Sequence, residues 1–353
     1  MSSQSASTEY VPRRMHRKPR RVGRTVLLSV AMALVCVLAV GSTYADRLLT
    51  GLNSANHVNK ADVLPSYSDQ PTKDPGDESM NILLLGADKS QSGEKLSFTD
   101  KSGDQRSDSM MWVHIPADRS GVYIMSIMRD LWVDIPGHGE AKLNAAMQYG
   151  GVPLLAQTLE SKLGAKIDHF VAVDFDGFRG LTNAIGGVKV NNPVDFCAYK
   201  SNPPTCYKKG TISVKGNRAL RWVRERHAFV DGDYQRVRNQ QQFLKAIFKK
   251  TLSPEVLSNP NKILNLAEQV LPYVTIDDEL GDASYLAGLA GQMTSLRSGD
   301  IHSFTLPTAG TGTSSGGASI VLPDEGAIAE VGRGIKEGKM ATVYKNLPED
   351  SKK

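Results

Sequence analysis

Apolar residues occur along this chain in short blocks divided by turn-forming residues, and the spacing inside each block predicts its element. Asn81-Ile-Leu-Leu-Leu-Gly-Ala-Asp88 holds an apolar run too brief for a helix and closed by Gly, which reads as a buried strand. A polar segment without periodicity, 89–105, reads as a loop. Met110–Ile115 and Gly121–Ile127 read as adjacent strands joined through Pro116-Ala-Asp-Arg-Ser120. Lys142–Leu163 places apolar side chains at helical spacing, with a break at Gly150-Gly151-Val-Pro153. Phe170–Val173 predicts a further strand, and Phe175–Ile185 a helix ended by Gly186-Gly187. Val188–Val214 reads as an extended excursion, and Ala219–Arg226 fits a short helix or a strand. Tyr234–Leu252 predicts a helix with Phe243, Ile247 and Phe248 on one face. Thr305–Val321, rich in Gly, Thr and Ser, reads as a loop before a last helix over Glu325–Ile335. Strands and helices alternate without an internal period, so one α/β domain is expected over residues 80–345, followed by a polar tail, 346–353.

Upstream the pattern changes. Thr25–Ala45 is an uncharged, largely apolar run, long enough to cross a hydrocarbon core of ~30 Å as a helix. The net charge of +5 is concentrated before it: residues 1–24 hold seven Lys or Arg against Glu9, which leaves about −1 downstream. Basic residues on that side orient the N-terminus to the cytoplasm. The alternative is a cleaved secretory signal ending at Thr43-Tyr44-Ala45. Either reading exports residues 46–353, of which 46–79 read as a stalk because Asn, Ser, Asp, Pro and Gly interrupt every apolar stretch. A basic excess on a core-less tail argues against nucleic acid as a partner.

Export also frames the cysteines. Cys36 lies in the apolar run, whereas Cys197 and Cys206 flank a turn-rich stretch, which outside the cytoplasm favours a loop-closing disulfide over a metal site. Several catalytic templates fail. The chain has no Walker-type loop, and its histidines do not fall at metal-ligand spacing. Gly312-Thr-Ser-Ser-Gly316 matches a nucleophile elbow in letters, but no histidine follows Ser314, so the required order of a hydrolase triad is impossible.

What remains is a set of arginines and acids in apolar, strand-like surroundings. Arg129-Asp130 ends a strand, Arg224-Glu-Arg226 follows Trp222-Val223, and Asp233-Tyr-Gln-Arg236, Arg238 and Gln240 lie where a helix opens. Clustered guanidinium forks suit a bidentate grip on phosphate oxygens. Asp88 and Asp108, beside strand ends, offer hard oxygen ligands for Mg²⁺, with Mn²⁺ as a substitute. Each feature also has a bland reading. Arg224 and Arg226 could alternate on a solvated edge strand, Asp88 could be a turn residue, and Arg236, Arg238 and the glutamines could decorate an exposed helix.

The order of the blocks is more specific than any one of them. Asn81–Asp88, Arg106-Ser-Asp108-Ser, Ser126-Ile-Met-Arg129-Asp130, Lys142-Leu-Asn-Ala-Ala, Phe175-Asp-Gly-Phe with Ile185-Gly-Gly-Val188, Val223-Arg224-Glu-Arg226 and Asp233-Tyr-Gln-Arg236 with Gln240-Gln241 occur in sequence. Together they resemble the LytR-CpsA-Psr family of cell-wall enzymes, over residues 81 to about 245. The resemblance implies a three-layer α-β-α sandwich with a central mixed sheet and an apolar groove for a polyprenyl chain. It implies transfer of a glycopolymer from polyprenyl pyrophosphate to peptidoglycan, at the muramic-acid 6-hydroxyl. Asp88 and Asp108 would hold the metal. Arg129, Arg224, Arg226 and Arg236 would clamp the pyrophosphate, Lys142 and Gln240 would complete the anionic site, and Asp233 would assist the acceptor hydroxyl. The chain departs from the family pattern at Asn239, where Arg usually precedes the paired glutamines. A pyrophosphatase using water as acceptor and a non-catalytic wall-polymer scaffold are the competing expectations.

Overall fold

The computed structural model describes residues 50–51, 53–87, 98, 107–198, 204–230, 232–251, 259–293, 296–349 and 351–352. The expected basic tail, the apolar segment 25–45, Asp88 and Arg106 lie outside these residues. Among the described residues no helix is long and apolar enough to cross a membrane.

Seven strands build one sheet: β1 (Asn56–Val58), β2 (Met80–Ala87), β3 (Ser107–Ile115), β4 (Val122–Ile127), β5 (His169–Asp174), β6 (Val274–Asp277) and β7 (Ile301–Thr305). Their spatial order is β1-β6-β5-β2-β3-β4-β7. β2 runs parallel to β5, β4 to β7 and β1 to β6, while the other three contacts are antiparallel, so the sheet is mixed. The register therefore brings the carboxyl ends of β2, β4, β5 and β7 and the start of β3 to one end of the sheet.

Apart from a single turn at Lys60–Val63, the described α-helices are α1 (Asn144–Leu163), α2 (Phe175–Ala184), α3 (Gly216–Arg224), α4 (Gly232–Thr251), α5 (Pro260–Val270), α6 (Ala283–Gln292), α7 (Glu325–Lys336) and α8 (Met340–Asn346). One face of the sheet, with Leu83, Leu85, Trp112, Met125 and Phe170, is sealed by α1 and α7. The opposite face, with Met111, Val113, Ile115 and Ile124, meets α4 and α6. Coverage on both faces is why β4 is buried at all six positions and shows no polar alternation. α1 breaks where the glycines and proline predicted it: Gly150 and Gly151 leave helical geometry. Gly151 has φ +65°, and a Cβ there would sit 2.7 Å from the Phe98 carbonyl, so a side chain is excluded on two counts. That carbonyl accepts from Val152 N–H at 3.0 Å.

Three sequence expectations are corrected, and one open alternative is decided. The region read as a stalk contributes β1, and further along Tyr67 and Gln70 hydrogen-bond the buried Glu160 carboxylate. Thr305–Val321 is not a loop: Thr308–Thr313 pairs with Ser319–Pro323 in a hairpin, turned through Gly317 at φ +81°. Of the two readings of Ala219–Arg226 the helix holds: α3 ends at Arg224 and Arg226 lies just past it, so the two arginines do not alternate on an edge strand. The polar tail folds back: Leu347 is buried, Ser351 C=O accepts from Thr305 N–H at 2.8 Å, and Lys352 lies over the Tyr344 ring.

Candidate functional site

At the sheet end that gathers four strand termini, β4 runs into the turn Met128-Arg129-Asp130-Leu131. Three backbone hydrogen bonds from two segments fix that turn. Arg129 C=O accepts from Asn144 N–H at the start of α1, Leu131 C=O from Leu143 N–H, and Asp130 C=O from Val321 N–H. The side chains form a charged corner, with Asp130 between Lys142 Nζ at 3.1 Å and Arg129 Nε at 3.5 Å. All three remain a quarter to a third exposed, so two cations and one carboxylate face outward with an excess of positive charge.

Helix α4 passes over the same end. Val237 joins the core on the α1 side while Leu244 packs on the opposite sheet face, so the helix crosses from one layer to the other. Gln241 Nε2 donates to Thr305 Oγ1 at the tip of β7, 2.9 Å away. This crossing carries Arg236, which is buried, and half-buried Gln240 to the sheet end. Arg224, on the last turn of α3, lies 4.3 Å over the ring of Phe175, which follows the tip of β5. Arg226 follows two residues later, where Glu225 accepts from the backbone N–H groups of residues 226–228. The structure thus gathers Arg129, Lys142, Arg224 and Arg236 toward one end of the sheet. Of Asp233 and Asp108 the structure describes the backbone alone, and Asp88 is outside the described residues.

Asp108 nevertheless has an informative backbone position. Gly86 pairs with Ser109 and Ala87 with Ser107, which leaves Asp108 as the extra residue of a β-bulge next to the tip of β2. Bulges re-aim a side chain and are over-represented beside active sites. Three further polar atoms at this end are buried without a hydrogen-bond partner among the described residues: Ser126 Oγ, Asn144 Oδ1 and Gln241 Oε1. Such atoms are uncommon in native interiors, and three beside one corner suit a polar ligand.

A family model, the LytR_cpsA_psr family, matches residues 47–337. The chain belongs to the LytR-CpsA-Psr family. Among its relatives, the regulatory protein MsrR of Staphylococcus aureus is 30% identical over 67% of this chain and 66% of its own length, just under two thirds of that protein. The polyisoprenyl-teichoic acid–peptidoglycan teichoic acid transferase TagT of Bacillus subtilis is 31% identical over 77% of this chain and 85% of its own. Among solved structures, B. subtilis TagV superposes with a TM-score of 0.61 at 28% identity, covering 75% of this chain and 98% of that one. TagT bound to LI-WTA gives a TM-score of 0.58 at 26% identity, covering 80% and 98%. The family match reaches well beyond residues 81–245, and so includes β1, β7 and α7.

Within this LytR-CpsA-Psr domain the unusual Asn239 is a structural residue. It is fully buried, accepts from Gln235 Nε2 at 2.8 Å and donates to Trp222 C=O at 3.4 Å. Arg238 donates to the same Gln235 at 2.7 Å, so Gln235 links it to Asn239. The disulfide expected between Cys197 and Cys206 is present, across directly paired residues of Phe196–Ala198 and Thr205–Tyr207.

One cluster escaped the sequence reading. His169, Asp277 and Glu279 bring three ligand-type atoms within 4.8 Å of one another at the opposite end of the sheet, although their spacing in sequence gives no signal. Asp277 is already engaged by Phe170 N–H, Leu280 N–H and His169 Nδ1, and His169 Nε2 meets the Tyr285 hydroxyl. Burial alone would raise the Asp277 pKa, but the His169 bond and the two backbone donors outweigh it and hold it below the ordinary value. The cluster ties β5, β6 and α6 together.

Proposed function

We propose that this protein is a phosphotransferase that moves a glycopolymer from a polyprenyl-pyrophosphate carrier to peptidoglycan. The observation that carries the reading is a contrast between the two faces of the same strands. Leu83, Leu85, Phe170 and Ala172 are sealed under α1, whereas Ile82, Leu84, Val171 and Val173 on the other face remain half-buried. That incompletely covered apolar face leads along β2 and β5 to the cationic sheet end. An isoprenoid tail suits the former and a pyrophosphate the latter, and α/β sheets commonly bind ligands at the carboxyl ends of their strands. The name of TagT and the LI-WTA complex of that protein support the same donor and acceptor classes here.

In the reaction the acceptor hydroxyl oxygen attacks the glycan-side phosphorus. The bond from that phosphorus to the bridging oxygen breaks, polyprenyl phosphate leaves, and the hydroxyl proton passes to a carboxylate such as Asp233 or to solvent. Arg129, Arg224, Arg226 and Arg236 grip the phosphate oxygens, with Lys142 and Gln240 beside them. Their effect is orientation and neutralisation of charge developing on the leaving oxygen. Asp108, the extra residue of the bulge in β3, and Asp88, one residue past the tip of β2, offer a two-carboxylate donor set that fits Mg²⁺ or Mn²⁺ shared with substrate phosphate. Such an ion would supply further charge neutralisation. Residues 25–45 would hold the domain on the outer side of the cell membrane, where the lipid-borne donor resides.

The test incubates the protein with a polyprenyl-pyrophosphate glycan, Mg²⁺ and a peptidoglycan fragment, and reads products by mass. A phosphodiester conjugate formed by wild type and lost in Arg129→Ala supports the transferase. Phosphorylated glycan without conjugate favours the pyrophosphatase, and lipid binding without turnover favours the scaffold.

A further inference from the structure

We infer that the disulfide hairpin Phe196–Tyr207 is a positioning device for Arg224 and Arg226, acting through Arg218 and Arg221 on helix α3. The inference rests on the proposed function in one respect: it takes those two arginines to grip a pyrophosphate.

Helix α3 has nine residues and no side-chain N-cap, so its orientation depends on what packs against it rather than on its own length. The hairpin grips it before and after the two arginines. On the near side, Arg218 Nη2 donates to Cys206 C=O at 2.9 Å, and its guanidinium lies 4.5 Å over the Tyr207 ring. The Tyr207 hydroxyl donates back to Arg218 C=O at 2.8 Å, and Arg221 Nη1 donates to Thr205 Oγ1 at 2.5 Å. On the far side, Phe196 stacks on Tyr207 at 4.7 Å and meets Phe229 edge-on at 5.4 Å, three residues past Arg226. Every one of these contacts comes from the six residues 196–198 and 205–207.

Those six residues form two strands of three, a pairing too small to persist alone in water. The bond between Cys197 and Cys206, opposite one another in the register, holds the pair in place. Ala219, Leu220, Trp222 and Val223 anchor one face of α3 in the core, and the hairpin, through buried Tyr207, holds the exposed face that carries Arg218 and Arg221. Arg224 sits a turn and a half beyond Arg218 and touches Phe175 on another helix. A tilt of α3 therefore moves the guanidinium relative to the sheet end, and displacements of about 1 Å are enough to weaken oriented phosphate contacts. Arg218, Arg221 and Tyr207 are positioning residues on this account.

The test measures farnesyl pyrophosphate binding and thermal unfolding of the full-length chain in Mg²⁺ buffer. Cys197→Ser/Cys206→Ser and, separately, Arg218→Met are made in the native background and in an Arg224→Ala/Arg226→Ala background. Arg218→Met keeps the disulfide and so serves if the cysteine variant folds poorly. The expected result is about tenfold weaker binding in the native background and less than about twofold further loss in the arginine-deleted one, with equal drops in Tm in both. Equal weakening in both backgrounds, or no weakening in either, overturns the inference while leaving the function intact. Failure of wild type to bind farnesyl pyrophosphate overturns both together.

Discussion

Gln241 Nε2 donates to Thr305 Oγ1 at 2.9 Å, and this bond joins a helix that crosses the sheet end to the last residue of an edge strand. Gln241 is almost wholly buried, so either partner left alone has little access to replacement water. Thr305→Val is expected to cost about 1–3 kcal/mol in urea unfolding, and Gln241→Leu combined with it less than the sum of the singles. Farnesyl pyrophosphate affinity should fall in Thr305→Val as α4 loosens over the site. Additive stabilities would show that the two residues act separately.

The backbone at Arg129 is fixed on two sides, with its carbonyl on Asn144 N–H and its neighbour's on Val321 N–H. Removing its planar fork should lower transfer about 10²–10³-fold, the scale for losing one preorganised donor to a developing anion. Arg129→Lys should recover only a small part, since an ammonium cannot reproduce two parallel N–H bonds. Product formation under single-turnover conditions decides it; full recovery by lysine would reduce Arg129 to a point charge.

At Asn239 the prediction concerns stability rather than phosphate contact. Because it bridges Gln235 and Trp222 C=O in full burial, Asn239→Ala should cost about 1–3 kcal/mol. Asn239→Arg, which restores the family's usual residue, should destabilise further by placing a charge in that pocket. Denaturation midpoints of the two variants are the check, and a stabilised arginine variant would mean that the helix can rotate to expose this position.

His114 makes stability depend on pH. Burial, with a smaller effect from Lys73, pushes its pKa from 6.5 down to about 4. Nδ1 donates to Asn81 Oδ1 at 2.8 Å in the neutral ring. Between those two values the unfolded chain takes up a proton that the folded chain refuses, so stability rises with pH across the window. This group should withdraw up to about 3 kcal/mol on acidification from 6.5 to 4. In His114→Phe, where Asn81 Oδ1 keeps its bond from Trp112 Nε1, the slope of unfolding free energy against pH over that window should flatten. An unchanged slope would assign the effect to other groups.

The strands that sequence reading found carry apolar runs: β4 is buried throughout and β2 and β5 are sealed on the α1 face, and burial is what such runs record. β1 escaped because Asn56-His-Val58 has no such run, and its pairing with β6 appears only in the folded chain. The hairpin over 308–323 escaped because its first strand is built of Thr, Ala and Gly with no buried position. The break in α1 was legible because Gly-Gly-Val-Pro has few other uses inside a helical pattern. At the site, Arg129 and Lys142 could be matched by motif. Which face of α4 points inward could not, so the burial of Asn239 and the bond from Gln241 to Thr305 emerge only with packing. Likewise the bulge that singles out Asp108 is a property of pairing with β2, invisible in either strand alone.

The fold-back of the C-terminal residues onto β7 has a consequence for self-association. β7 is the outermost strand on its side of the sheet, and Ser351 C=O takes up the N–H of Thr305 there. Tyr344, stacked near His302 and Phe304, shields the same strand with side chains. A chain shortened before Leu347 would uncover that rim, and an uncovered rim is a template onto which another molecule's strand can add. The last few residues, polar and easily dismissed, thus act as a guard against aggregation.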